Sequence, residues 1–239
     1  MKDKIYSHPL KRKSQFVFDA KVARVFEDMI HRSVPGYRDI VQMAGVLAAR
    51  CIRPRTQVYD LGCSLGAVSK VILESVRGRF YTLHAVDSSA AMIARAKKNL
   101  RSRSHAKVYT ECLRLEDTPI QNASLIILNF VLQFIPKAKR LSILRRIYQG
   151  MVRDGVLIFS EKISFSNPRE NDFQQKLHEK FKAMNGYSQL EISQKRSALE
   201  KVLIPEALYV HERRLKKAGF SKVYVWFRCF NFISLIAVK

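Results

Sequence analysis

An acid, two glycines and a serine are the first residues whose types and spacing point to chemistry. In Val58-Tyr59-Asp60-Leu61-Gly62-Cys63-Ser64-Leu65-Gly66 a short apolar run carries Asp60 near its end, and a tight turn follows with Gly62, Ser64 and Gly66. Ala67-Val68-Ser69-Lys70-Val71-Ile72-Leu73 then resumes at helical spacing. Strand, turn and helix start in this order are where an α/β sheet receives a nucleotide-like ligand. Glycine is required because the backbone turns sharply and a Cβ would collide with a ligand lying against the main chain. A dinucleotide fingerprint reads G-x-G-x-x-G and seats a pyrophosphate on the helix N-terminus. The order here is Asp60-x-Gly62-x-x-x-Gly66. An acid before the turn repels a phosphate but not an ammonium or a sulfonium, so the turn favours S-adenosylmethionine over NAD.

Two further polar residues stand at strand ends. Asp87 closes the second predicted strand, 27 residues beyond Asp60. A carboxylate there offers two acceptor oxygens to a ribose diol, through charge-assisted bonds of roughly 1.5–3 kcal/mol each. Asn129 ends the apolar run Leu125-Ile126-Ile127-Leu128. Burying its amide inside that run would be costly unless paired, so it is expected to emerge at the sheet's C-terminal edge, near the sulfonium. A local backbone hydrogen bond is the alternative.

The elements that must position these residues alternate. Strands are predicted at 57–61, 80–86, 107–110, 124–130 and 155–160, with helices at 66–76, 90–100 and 136–151 between them. This rhythm predicts an α/β fold, a Rossmann-like, mostly parallel, doubly wound sheet. The Leu125 run fits a strand buried on both faces. Ahead of the sheet, Asp19 is an expected N-cap for a helix carrying Val22, Val25, Phe26, Met29 and Ile30. Pro35-Gly36 stops it, and a second helix runs through Ile40, Val41, Ala44 and Leu47. The pair is expected to lie over the sheet's C-terminal edge as a lid, with Tyr37 at the corner as either a core aromatic or a phenol facing the ligand. Residues 162–204 break the alternation as a helical insertion, with helices around Phe173–Met184 and Leu190–Val202. The chain closes with a helix at 205–218 and strands at 221–228 and 231–238, an antiparallel edge. Residues 1–15 read as a polar, mobile arm, and the whole of 1–239 as one domain.

Composition narrows the setting. A chain of 239 residues, 47% hydrophobic, builds one large core. Four cysteines without C-x-x-C spacing and six scattered histidines argue against a metal site. No apolar signal segment opens the chain, and the most apolar run, Leu125 to Ile135, is too short to span a bilayer. A reduced, cytoplasmic, membrane-free protein is expected. The formal charge of +23 gathers in Arg95 to Lys107, Lys137 to Arg146 and His211 to Lys217. Such a surface attracts RNA by counterion release. Without interleaved aromatics it equally fits a solvated basic face.

Several longer blocks carry a resemblance: Arg32-Ser33-Val34-Pro35-Gly36-Tyr37, Tyr59 to Ala67, Gln149-Gly150, Ser160-Glu161-Lys162, Asn185-Gly186-Tyr187-Ser188, Leu190-Glu191-Ile192-Ser193-Gln194-Lys195-Arg196-Ser197 and Trp226-Phe227-Arg228-Cys229-Phe230-Asn231-Phe232. From about Phe18 to Lys239 the chain resembles the carboxy-S-adenosyl-L-methionine synthase family, the CmoA-type enzymes of wobble-uridine modification. The resemblance implies a class I methyltransferase fold, a homodimer, and conversion of S-adenosylmethionine and prephenate to carboxy-S-adenosylmethionine and phenylpyruvate. A partner tRNA carboxymethyltransferase would use the product at tRNA position 34.

By that resemblance Tyr37, Gly62, Cys63, Ser64, Asp87, Ser88, Asn129 and Arg196 occupy the cofactor positions, with Tyr37 and Arg196 at the catalytic centre. Arg196 is the distinguishing residue, because a carboxylated methyl needs a partner that a guanidinium provides bidentately. Where the family usually has an acid and an aliphatic residue after the third strand, this chain has Arg114-Leu115. Arginine has no acceptor for the adenine amino group. Either Glu111 or Glu116 substitutes, or Leu115 and the backbone hold the adenine alone. No histidine or glutamate stands in an evident general-base arrangement, which fits a reaction whose substrate supplies driving force and base.

Overall fold

The computed structural model describes residues 1–9, 15–100 and 105–239. At its centre seven strands form one sheet in the order β3-β2-β1-β4-β5-β7-β6. They are β1 (Gln57–Leu61), β2 (Tyr81–Asp87), β3 (Ala106–Cys112), β4 (Ala123–Asn129), β5 (Met151–Lys162), β6 (Lys222–Cys229) and β7 (Phe232–Val238). The first five pair in parallel; β7 runs antiparallel between β5 and β6. The expected doubly wound sheet with an antiparallel edge is thus observed. Its register brings Asp60 opposite Ile127, and Asn129 opposite Ser160, so the polar strand ends meet along one edge.

Helices cover both faces, as a parallel sheet requires. Before β1 stand α1 (Ala20–Ser33) and α2 (Tyr37–Cys51); between strands come α3 (Ala67–Ser75), α4 (Ala90–Asn99) and α5 (Lys137–Gly150). The helices α6 (Pro168–Met184), α7 (Gln189–Leu199) and α8 (Leu208–Ala218) follow β5. Alternate residues of the strands face opposite layers. Val58, Leu83, Leu125 and Ile158 pack with α2, α3 and α4 residues, and Tyr59, Ile126, Leu157 and Phe159 with α5 and α8 residues. β4 is buried on both sides through Leu128.

Local chemistry fixes the ends. Asp19 accepts from the Lys21 and Val22 N–H groups, each at 2.9 Å, and caps α1 as expected. Ser188 and Glu191 form a reciprocal capping box at the start of α7, so the helix begins one residue before Leu190. It stops at Leu199, short of the expected Val202, because the Val202 and Leu203 N–H groups both fold back onto the Leu199 carbonyl.

Two placements differ from the sequence expectation. Only the corner of α2 reaches the sheet's C-terminal edge; its body packs on α3, where Gly45 leaves no room for a Cβ between Val71 and Ser75. Residues 1–9 are docked where the sequence predicts a mobile arm. Asp3 is buried, accepting from the Tyr187 hydroxyl at 2.6 Å, and its N–H donates to Asp28. The buried Lys195 has the Asp3 carboxylate at 3.7 Å, and Arg32, paired with Asp28, donates to the Asp3 backbone carbonyl. The middle of the predicted arm, 10–14, and part of the basic stretch from Arg95 to Lys107, 101–104, lie outside the described residues.

Candidate active site

The C-terminal ends of β1, β2, β4 and β5 open onto a cavity of about 530 Å³. Phe16, Phe18 and the α1 residues Phe26, Met29, Ile30 and Ser33 wall one side. Phe18 meets Phe26 and Phe134 edge-on, at centroid distances of 6.3 and 5.3 Å, closing that wall with aromatic rings. Side chains of α6, α7 and the turn after it complete the enclosure.

The turn after β1 has the strain that its composition implies. Gly62 and Gly66 adopt φ +78° and +79°, and Ser64 between them +50°. A Cβ on Gly62 would strike the Val131 side chain beyond β4, so at that glycine the space belongs to a neighbouring loop as well as to any ligand. The Gly62 and Cys63 N–H groups both bond the Val86 carbonyl, at 2.7 and 2.9 Å, which pins the turn beside the end of β2. Cys63 is buried, and burial raises its thiol well above the ordinary range. It serves as a small apolar wall rather than a nucleophile.

Asp87 is fixed at both oxygens. The Ser64 N–H donates to Oδ2 at 2.9 Å and the Ser89 N–H to Oδ1 at 2.8 Å. Each oxygen keeps a lone pair for an incoming hydroxyl. Burial raises the Asp87 carboxyl above its usual range, against the two N–H groups that lower it. Asp60 lies beneath the turn, accepting from the Ser69 N–H at 3.1 Å and hydroxyl at 2.7 Å, both on Oδ2. Its carboxyl is pushed up to about 6 by burial, with Asp87 adding to the rise and the Ser69 bonds opposing it. A cation alongside would restore the charge at no desolvation cost to the carboxylate, which is already buried.

Asn129 emerges at the β4 terminus into the cavity, and its Oδ1 is buried with no donor among the described residues. A buried acceptor of this kind is suited to a donor or a cation. Tyr37 is the first residue of α2, buried, and lines the same cavity; burial and the nearby Asp60 raise its phenol. It is a core aromatic that also lines the cavity. Ser88, next to Asp87, lines the cavity as well.

Residues 59–157 match a methyltransferase domain family. Human N-acetylserotonin methyltransferase, solved in complex with SAM, superposes at TM-score 0.62 and 17% identity over 92% of this chain and 55% of its own. A putative O-methyltransferase from Nostoc punctiforme gives 0.63 and 17% over 92% and 59%. The chain thus spans just over half of each of these neighbours, and the likeness establishes the fold. Sequence relatives are far nearer. Carboxy-S-adenosyl-L-methionine synthases of Geobacter metallireducens and Trichlorobacter lovleyi are 51% and 49% identical over 99% of this chain and 98% of theirs. That of Shewanella amazonensis is 47% identical over the same shares. The chain belongs to the carboxy-S-adenosyl-L-methionine synthase family.

The geometry fits the sulfonium nucleoside that this family's name implies. Asp87 offers paired acceptors for a diol, and the glycine turn gives close backbone approach. Asp60 and the unpartnered Asn129 Oδ1 belong to the same cavity. Among the described residues no group of three or more His, Cys, Asp or Glu side chains is arranged to hold a metal ion, and no helix is long and apolar enough to cross a membrane.

Two arginines assigned to the site by the resemblance have their guanidinium groups elsewhere. Arg114 lies at the cavity rim with its guanidinium turned to Asp117 at 2.7 Å, while Leu115 is buried in the wall. Of the two acids that could replace the missing one, Glu116 lines the cavity, whereas Glu111 is held by His84 at 2.8 Å across β2 and β3. Glu116 carries an ion pair of its own, with Lys139 at 3.5 Å. Arg196 does not reach this chain's own cavity: it sits largely exposed on α7, bonded to Glu179 at 3.1 Å. In its place the cavity presents Lys162 from β5, His178 and Lys182 from α6, and Lys195 from α7. The sequence reading gave none of these four a role. The i,i+4 spacing of His178 and Lys182 was the one signal that both share a helix face.

Proposed function

We propose that this protein is a carboxy-S-adenosyl-L-methionine synthase. It would take S-adenosylmethionine and prephenate to carboxy-S-adenosylmethionine and phenylpyruvate, for modification of a tRNA wobble uridine. The observation that carries the reading is the near 50% identity to synthases along the whole chain, insertion included, rather than over the common methyltransferase segment. The reaction balances without an external base. Prephenate loses carbon dioxide and a hydroxide as its ring becomes aromatic; the hydroxide takes a methyl proton and leaves as water. The resulting carbanion, held beside the positive sulfur, adds to the carbon dioxide. What the protein must do is orient both reactants and exclude bulk water, and the aromatic wall of Phe16, Phe18, Phe26 and Phe134 serves the second task.

Homodimer formation belongs to the same proposal. The exposed Arg196 would then serve the cavity of a second copy, where its guanidinium can hold the new carboxylate. Mass spectrometry of ligand released from purified protein tests the function: a cofactor heavier by one carboxyl group is expected, and only the unmodified or demethylated cofactor, with no turnover of prephenate, overturns it. The +23 charge favours a second reading, an S-adenosylmethionine-dependent methyltransferase acting on RNA. Strong, salt-dependent retention of bulk tRNA with methyl transfer to it would support that one.

A further inference from the structure

Three ammonium groups from three different elements converge on one end of the cavity. Lys162 is the last residue of β5, Lys182 lies on α6 and Lys195 on α7. Lys182 and Lys195 are buried. Lys195 donates to the Ser33 hydroxyl at 2.9 Å and has Asp3 at 3.7 Å. Neither Lys162 nor Lys182 has a carboxylate within salt-bridge distance among the described residues; Glu179, whose charge favours both, is engaged by Arg196. Burial lowers all three, Lys182 to about 7 with Lys162 and Lys195 adding to the fall, and Lys195 to about 8. His178 offers no counter-charge: its Nε2 donates to the Ser33 carbonyl at 2.7 Å, and burial holds the ring neutral.

Uncompensated cations so placed are costly unless an anion joins them. Their position says which anion. Along the sheet the order β2-β1-β4-β5 carries Asp87, Asp60, Asn129 and then Lys162, with neighbouring strands about 4.8 Å apart. The lysines therefore stand across the sulfonium side from the ribose acid. All three lie outside residues 59–157, the segment matched by the methyltransferase domain family, and two of them, Lys182 and Lys195, stand on the α6–α7 insertion.

We propose that Lys162, Lys182 and Lys195 form the receptor for the carboxylates of a dianionic second substrate, seated between β5 and the α6–α7 insertion. That this dianion is prephenate rests on the function proposed above. Two carboxylates match the two cations that lack a partner, while Lys195 keeps part of its charge satisfied by Asp3.

The test uses the full chain loaded with S-adenosylhomocysteine and titrated with prephenate, with phenylpyruvate as the monoanionic comparison. Lys162→Met and Lys182→Met keep length and remove charge. Each should weaken prephenate at least about tenfold and phenylpyruvate less, with S-adenosylhomocysteine affinity changed by no more than about threefold. In turnover the KM for prephenate should rise while that for S-adenosylmethionine stays. Lys182→Arg, which keeps the charge, should bind prephenate far better than Lys182→Met and guards against a folding defect in the latter. The proposal is overturned if prephenate binds both Met variants as it binds the parent, or if the parent does not bind it. Parallel loss of S-adenosylhomocysteine overturns it as well, assigning the lysines to the cofactor's own carboxylate. A parent that binds prephenate through these lysines without forming carboxy-S-adenosylmethionine would sink the proposed function and leave the receptor standing. Turnover that is indifferent to the lysines would do the reverse.

Discussion

Replacing Asp87 by asparagine isolates the diol contact. The two carboxylate oxygens of Asp87 each accept one backbone N–H, from Ser64 and from Ser89, and each retains capacity for one hydroxyl. An asparagine side chain has one oxygen and one NH2, so its NH2 must confront one of those two N–H groups. In the free protein one backbone donor loses its acceptor, about 1–3 kcal/mol, partly offset because a buried charge with a raised carboxyl pKa is removed. The net change in folding stability is therefore small. With ligand bound, at least one charge-assisted hydrogen bond to the ribose is lost as well. At roughly 1.5–3 kcal/mol for that bond and 1.4 kcal/mol per tenfold, the affinity for S-adenosylhomocysteine falls between about tenfold and about 150-fold. Calorimetric titration of parent and Asp87→Asn measures it, and an analogue lacking both ribose hydroxyls supplies the control. That analogue should bind the two proteins alike. Affinities for S-adenosylhomocysteine within about threefold, or an equal loss for the analogue, would show that Asp87 does not hold the diol.

Three further outcomes are expected. Because burial holds the Asp60 carboxyl near 6 and a cationic ligand binds its ionised form, S-adenosylmethionine affinity should be level above about pH 7. Below pH 6 it should fall, by up to about tenfold per unit for one proton; a constant Kd from pH 5 to 8 refutes the role. Gly62→Ala places a Cβ at φ +78° against Val131, so it should destabilise by at least about 1–3 kcal/mol. Adding Val131→Ala should recover the steric part of the fall in Tm but not the conformational part. Arg140 is fully buried, pairing with Glu206 and donating to the Ile135 and Ile204 carbonyls at 2.9 Å each. Arg140→Ala should cost about 3–5 kcal/mol in chemical denaturation, and should loosen the Val202–Ile204 turn on which one cavity wall rests.

The part of the candidate site built on β1 and β2 was legible in the sequence because a single βαβ unit encodes it locally. Strand period, glycine turn and the second strand's terminal acid lie within thirty residues of one another, and parallel pairing of β1 with β2 has no other way to place them. Asp60, Gly62, Ser64 and Asp87 therefore fall where spacing puts them. Asn129 followed from the same logic, since an amide at the end of a fully apolar strand has only the sheet edge to go to. Arg114 was legible as a departure, but not the direction of its side chain: only the ion pair with Asp117 shows the guanidinium engaged at the rim. The arm misled for a different reason. Nine polar-rich residues look mobile until Arg32, Tyr187 and Lys195, distant in sequence, are seen to converge on Asp3.

The basic half was invisible for a reason that also bears on how the site works. Lys162, Lys182 and Lys195 come from a strand end and two helices of the insertion, and among the 43 lysines and arginines of the chain no local pattern marks three of them as meeting at one cavity. Long-range packing sets the placement of this end of the cavity: Lys195 is held by Ser33 and Asp3, and His178 by the Ser33 carbonyl and the Phe232 ring. The same contacts tie α6 and α7 to α1, whose other side chains wall the cofactor end. Acids fixed by the common fold thus face cations fixed by the insertion across a single cavity. A sulfonium satisfies the first set and a dianion the second, so each reactant relieves a charge that the other leaves exposed. Binding of the two should then be mutually favourable, the second arriving at a site whose field the first has already balanced.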